Sequence, residues 1–170
     1  MTTIEQTEVN QWVDKLKSQL SAILGADLQD SAMIGIRTGG AVLGQRLHQE
    51  FELALPLGQL NISFYRDDFS KIGLHPQVGA SDIPFEVDEK TIILVDDVLQ
   101  SGRTVRAALN EIFDYGRPSR VILAVLVDRG GRELPIQPDA LGHLIKLDKQ
   151  AHLKLVAEDM SFQVLDNHAP

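Results

Sequence analysis

Chemistry is concentrated in one short stretch, Ile92-Ile93-Leu94-Val95-Asp96-Asp97-Val98-Leu99-Gln100-Ser101-Gly102-Arg103-Thr104. An apolar run meets an acid pair, a short spacer, then a small residue, a glycine, a base and a threonine ahead of a helical pattern. The first N–H groups of a helix lack intrahelical partners and lie at the positive end of its dipole. A phosphate monoester can take those groups, with the hydroxyls of Ser101 and Thr104 as further donors. Gly102 permits close approach and a positive φ. Asp96 and Asp97 precede this loop within reach of a pentose. Adjacent residues at a strand end point in different directions. One acid can therefore accept from sugar hydroxyls while the other acts near magnesium, through substrate or water, since that ion is held mainly by substrate oxygens and water. Each fragment alone is commonplace, because paired acids are usually solvated and Ser-Gly-Arg-Thr often just starts a helix. The ordered combination is far more specific. It is neither a Walker A loop nor a dinucleotide fingerprint, having no Gly-x-x-x-x-Gly-Lys-Ser/Thr and a single glycine in the turn.

The elements that must position these residues follow from periodicity. Val9, Val13, Leu16, Leu20 and Ile23 form one apolar stripe of a helix, with Thr3 and Gln6 as a capping box that starts it near Ile4 and Gly25 as its end. Residues 32–36 read as a buried strand, Arg37-Thr38-Gly39-Gly40 as a glycine turn able to hold an anion, and 41–51 as a helix. A second strand is expected at 60–65. Residues 66–86 are polar and aperiodic, and a loop of that length inside a compact domain is often a lid. Residues 91–95 read as a strand, 96–102 as a turn, 103–115 as a helix stopped by Gly116 and Pro118, and 120–127 as a strand covered on both faces. Short strands are expected at 143–147, 153–157 and 162–165. Strands alternating with helices imply an α/β domain, a mostly parallel sheet flanked by helices, whose ligands bind at the carboxyl edge. Asp128, Arg129 and Gly130 follow the last buried strand and so reach that same edge.

Bulk properties narrow the setting. The 170 residues fit one domain, with a core at about 30–128 and a smaller C-terminal part at about 129–170. No cysteine is present, so disulfides and thiolate zinc sites are excluded. His48, His75, His143, His152 and His168 show no metal-ligand spacing. The net charge of −8 disfavours a broad nucleic-acid footprint without excluding a local basic face. No secretory signal and no apolar run of membrane-spanning length is present, so a cytoplasmic protein with no membrane contact is expected.

Residues 95–104 resemble the phosphoribosyl pyrophosphate motif of type I phosphoribosyltransferases. Phe64-Tyr65-Arg66-Asp67-Asp68 with Ser70, Asp114-Tyr115-Gly116-Arg117-Pro118-Ser119, and residues 124–129 running into Arg132-Glu133-Leu134-Pro135-Ile136 are similar to the PyrR family within it. PyrR proteins combine pyrimidine-operon regulation with uracil phosphoribosyltransferase activity. The resemblance implies the type I fold with a flexible lid and a small hood. It implies Mg2+ as cofactor, and phosphoribosyl pyrophosphate, uracil, UMP and UTP as partners.

The same resemblance assigns roles. Asp96, Asp97, Val98, Leu99, Gln100, Ser101, Gly102, Arg103 and Thr104 bind the ribose 5-phosphate, and Arg37, Thr38, Gly39 and Gly40 bind pyrophosphate. Asp97 and Arg66 are the catalytic pair, Lys71 is a further candidate on the lid, and Asp128 and Arg129 lie on the base side. The family usually carries a basic residue where this chain has Gly39, so pyrophosphate affinity is weaker or Arg37 takes the role. A homo-oligomer, dimer or higher, is implied, to which the apolar N-terminal helix could contribute. A different class of function also follows from the resemblance. The chain would then be a nucleotide-sensing attenuator that binds leader mRNA with little or no transferase activity.

Overall fold

The computed structural model describes residues 1–62 and 80–166. Arg66 and Lys71, the strand expected as far as Tyr65, most of the lid, His75 and His168 lie outside the described residues.

Continuous apolar runs become the inner strands of one sheet because alternate residues feed opposite faces. The strands are β2 (Ala32–Ile36), β3 (Gly58–Leu60), β4 (Thr91–Leu99), β5 (Arg120–Asp128) and β6 (Ala140–Leu144). They form a five-stranded sheet ordered β3-β2-β4-β5-β6, parallel at every pairing. Met33, Ile93, Val95, Ile122 and Ala124 face one side, where Leu16 and Leu20 of α1 (Gln6–Leu24) and Leu43 and Leu47 of α2 (Gly39–Phe51) pack against them. Ile34, Ile92, Leu94, Leu123 and Val125 face the other, against Val105, Ala108 and Ile112 of α3 (Arg103–Tyr115). The stripe expected on α1 is therefore buried within the chain itself. At the sheet edge the Gln19 amide pairs with β6 like a strand residue, its Nε2 donating to Leu141 O at 3.0 Å and its Oε1 accepting from Leu141 N at 2.8 Å.

The small hood is an antiparallel sheet ordered β1-β8-β7, built from β1 (Thr2–Ile4), β7 (Ala151–Val156) and β8 (Ser161–Asp166). Its third strand comes from the N-terminus, with Thr3 opposite Gln163. This corrects the capping-box reading. Thr3 is committed to a strand, the helix begins at Gln6, and Glu5 caps it without a side-chain hydrogen bond. Further boundaries differ as well. The strand expected at 60–65 is β3, Gly58–Leu60, so Leu60 ends it instead of beginning it. The sixth is Ala140–Leu144, earlier than 143–147. The fourth runs to Leu99, so the acid pair lies in a strand and not in a turn, because Asp96 and Val98 still pair with Val125 and Val127. Among the described residues no helix is long and apolar enough to cross a membrane.

Candidate active site

The turn after β4 is short, and Gly102 makes it possible. It adopts φ 92° as the N-cap of α3, a conformation that favours glycine. The Arg103 N–H donates to Ser101 Oγ at 3.1 Å, which leaves the hydroxyl proton available to an anion. Residues that follow β5 hold this turn from behind. The Glu133 and Leu134 N–H groups donate to Ser101 O at 2.9 and 3.1 Å, and Arg132 Nη1 donates to Gln100 O at 2.9 Å. An Arg103–Glu133 ion pair of 2.6 Å lies outside.

The glycine turn between β2 and α2 stands beside the acid pair. Asp96 is buried and Asp97 half-buried, and the Asp97 N–H donates to Asp96 Oδ1 at 2.9 Å. A Cβ placed on Gly39 would fall on the Asp97 carboxylate, so this position has room for a side chain only if Asp97 swings away. The Arg37–Thr38 peptide is cis. Arg37 Nε donates to Gln59 Oε1 at 2.9 Å, which ties the loop to β3. The Gln59–Asp82 bridge then joins β3 to the chain that returns after residue 79.

Two cavities meet over this ground. One, of about 500 Å³, is lined by Arg37, Thr38, Gly39, Asp96, Asp97 and hood residues including Lys154. The other, of about 350 Å³, is lined by Gln100, Ser101, Gly102, Arg129 and His152 among others. They share Asp96, Val98, Thr104 and Leu153. The structure thus brings the glycine turn, the acid pair and the turn after β4, the expected phosphate loop, into one continuous depression. Gly40 lies behind it against Val95 O. Arg103 points to Glu133 and lines neither cavity.

Asp128 and Arg129 are both buried. Burial would raise the Asp128 carboxyl, but hydrogen bonds from Arg132 and the Gly130 amide, with the Arg132 charge, outweigh it and hold the carboxyl below its ordinary range. Arg132 grips it with both terminal nitrogens, at 2.9 and 2.5 Å. Arg129 donates to Ala151 O at 2.5 Å and Asp148 O at 2.9 Å, fastening β7 to the core.

The family described as Phosphoribosyl transferase domain matches residues 4–152. Bifunctional protein PyrR of Nitrosococcus oceani is 56% identical over 140 residues, covering 79% of this chain and 79% of that protein. Bifunctional protein PyrR of Pseudomonas aeruginosa is 50% identical over 143 residues, covering 84% of each. The chain belongs to the PyrR family of phosphoribosyltransferases. Among solved structures, a hypoxanthine-guanine phosphoribosyltransferase of Bacillus anthracis aligns with TM-score 0.66 at 18% identity, over 84% of this chain and 82% of that one. A hypoxanthine phosphoribosyltransferase of Staphylococcus aureus gives 0.65 at 15%, over 85% and 77%. At those identities the likeness establishes the type I fold, as the sequence motif implied.

In this phosphoribosyltransferase the site includes residues that sequence reasoning missed. Leu153, Lys154 and Leu155 of β7 line the larger cavity and His152 the smaller. Their one available signal was the alternation of residues 151–156, which marks a strand but not what its free edge faces. The Arg132 hub was visible only as a family signature, since two of its acceptors are main-chain carbonyls, of Gln100 and Ile136, and carry no sequence signal.

Proposed function

We propose that this chain is a uracil phosphoribosyltransferase, converting uracil and phosphoribosyl pyrophosphate to UMP and pyrophosphate. The observation that carries the reading is the continuity of the two cavities, with an anion-holding turn at one end, a phosphate loop at the other and an acid pair between. That order matches the substrate's own: pyrophosphate, ribose, 5-phosphate. The C1–pyrophosphate bond breaks ahead of formation of the bond to the base nitrogen, whose proton passes to water as pyrophosphate departs. Arg37, with Thr38 and Gly39, meets the charge growing on pyrophosphate, assisted by Arg66. Asp96 and Asp97 hold the ribose hydroxyls while the N-terminus of α3 fixes the 5-phosphate, so the sugar carbon is aligned with the base. Asp97, the more accessible of the two, is the catalytic candidate.

Among the described residues no three His, Cys, Asp or Glu side chains gather as a metal cage. One acid pair beside a ligand-sized cavity suits magnesium, which keeps substrate oxygens and water as ligands. Asp96 and Asp97 would hold it, largely through substrate or water, and bound there it would neutralise charge on the pyrophosphate oxygens.

The base side is the free edge of β7. The Ala151 N–H donates to Asp148 O and its carbonyl accepts from Arg129, so its main chain points away from β8. Alternation turns the main-chain groups of Leu153 and Leu155 the same way, offering donors and acceptors that uracil can match.

The shared name of the relatives, Bifunctional protein PyrR, favours a second role as a nucleotide-responsive RNA-binding regulator. Arg129 and Arg132 are poor candidates for that contact, since their terminal nitrogens donate to Ala151, Asp148, Asp128, Gln100 and Gln137. The deciding experiment measures pyrophosphate release with magnesium and uracil, hypoxanthine, guanine or orotate. Uracil-dependent release that Asp97→Asn abolishes is expected. No release with any base, while UMP still binds, overturns the enzyme reading in favour of the regulator.

A further inference from the structure

We propose that Arg132 is a positioning residue that aims the main-chain amide of Ser101 in the phosphate loop at the substrate and anchors that loop to the end of β5. The inference rests on the transferase reading of the site and deepens it.

An arginine offers five N–H donors in a planar fork. Here Nε donates to Ile136 O at 2.7 Å, and Nη1 donates to Gln100 O and Asp128 Oδ1, both at 2.9 Å. Nη2 donates to Asp128 Oδ2 at 2.5 Å and to Gln137 Oε1 at 3.3 Å. The side chain is only 17% exposed. It is therefore not presented to a ligand, and its charge is answered by Asp128.

What it does follows from peptide geometry. In a trans peptide the C=O and the following N–H point to opposite sides, and the peptides of residues 100–102 are trans. With Gln100 O drawn toward Arg132, the Ser101 N–H is turned the other way. With Ser101 O drawn toward the Glu133 and Leu134 amides, the Gly102 N–H is turned likewise. These groups belong to the turn that lines the smaller cavity. Without Arg132 the Gln100 carbonyl would be free to rotate inward, where its oxygen would repel a phosphate. Because the same guanidinium grips Asp128, where β5 ends, the phosphate loop is anchored to the sheet.

The test compares binding of UMP and of uridine to Arg132→Met and Arg132→Lys by calorimetry, with thermal unfolding of each. The ratio of the two affinities isolates what the 5-phosphate contributes. Arg132→Met is expected to lower that ratio roughly ten- to hundredfold while uridine affinity stays near the parent's. Arg132→Lys keeps a cation for Asp128 but cannot span Asp128, Gln100 O and Ile136 O together, so it recovers only part of the ratio. A folded variant with the parent's ratio, or equal loss for UMP and uridine, overturns the proposal. Should Arg132→Met fail to fold, the lysine variant alone decides by the same ratio. The readout needs no turnover, so absence of transferase activity in the parent would sink the functional reading without deciding this one.

Discussion

Alanine at Gly39 separates activity from stability, whereas alanine at Gly40 does not. A Cβ at Gly39 lands on the carboxylate of Asp97, the far end of a half-buried side chain. The main chain can stay in place if Asp97 rotates, at a cost of about 0.5–1.5 kcal/mol for a displaced rotamer. Gly39 opens α2, and alanine in a helix is favoured over glycine by up to about 1 kcal/mol. The effects nearly cancel, so the expected change in Tm is within about 3 °C. At Gly40 the added Cβ would lie 2.5 Å from Val95 O and 3.0 Å from Asp96 Cα. Those are main-chain atoms in the middle of β4 and cannot swing away. Overpacking of that kind costs about 1–3 kcal/mol, which lowers Tm by about 6 °C at the middle of that range. Turnover follows a different order. Gly39→Ala displaces the acid that we assign to the ribose, and misplacement on that scale lowers kcat/KM about a hundredfold. Pyrophosphate release and thermal unfolding, measured on both variants, test this. Parental turnover in Gly39→Ala would mean that the observed Asp97–Gly39 contact is not part of the reactive geometry. Equal losses of Tm would mean that Asp97 cannot yield.

Three further perturbations probe the frame around the site. The Asp128 carboxyl lies below its ordinary 3.8 in the fold, so its stabilisation is complete above that value and is lost as pH falls through the lower folded one. Asp128→Asn should cost about 2 kcal/mol at neutral pH, with the gap to the parent closing below about pH 4 in urea titrations. A gap independent of pH refutes the ion-pair account. Arg129→Met leaves Ala151 O and Asp148 O without their guanidinium, so amide exchange across β7 and β8 should accelerate about tenfold or more while β4 and β5 hold. Uniform acceleration would show global destabilisation instead. Gln19→Ala removes both hydrogen bonds to Leu141 and should cost about 1–2 kcal/mol in denaturant unfolding. Unchanged stability would mean that water replaces the side-chain amide without loss.

What could be read without coordinates was whatever is local in the chain. The helix at Arg103–Tyr115 was anticipated to the residue, because strong amphipathic periodicity and Gly102 and Gly116 at its ends all act within a few positions. The five-stranded sheet was legible as a class, since runs such as residues 120–127 alternate between the two core clusters that α1, α2 and α3 cover. Boundaries failed where pairing partners decide them. Residues 96–99 look like a turn in isolation, yet β5 runs alongside and keeps them in the ladder. Thr2–Ile4 look like a helix cap, yet β8 lies opposite. In both cases a partner distant in sequence overrode a local preference.

The candidate site divides along the same line. Side chains that meet substrate must be of particular chemical types, so the residues we propose for that contact, Asp96, Asp97, Ser101 and Thr104, announce themselves in order along the chain. Main-chain groups carry no such signal, because every residue has them. The phosphate loop is held by the carbonyls of Gln100 and Ser101, and the hood by those of Ala151 and Asp148. An arginine that serves main-chain carbonyls therefore looks in sequence like any basic residue near a strand end, and its position suggests a ligand contact. Burial and hydrogen bonding reverse that suggestion for Arg129 and Arg132 together. Among the described residues, Arg37, tied by Nε alone to Gln59, and Lys154 line the larger cavity from the glycine turn and the hood. Charge available to substrate thus enters from the two elements that flank the acid pair, while the arginines after β5 keep the frame rigid beneath them.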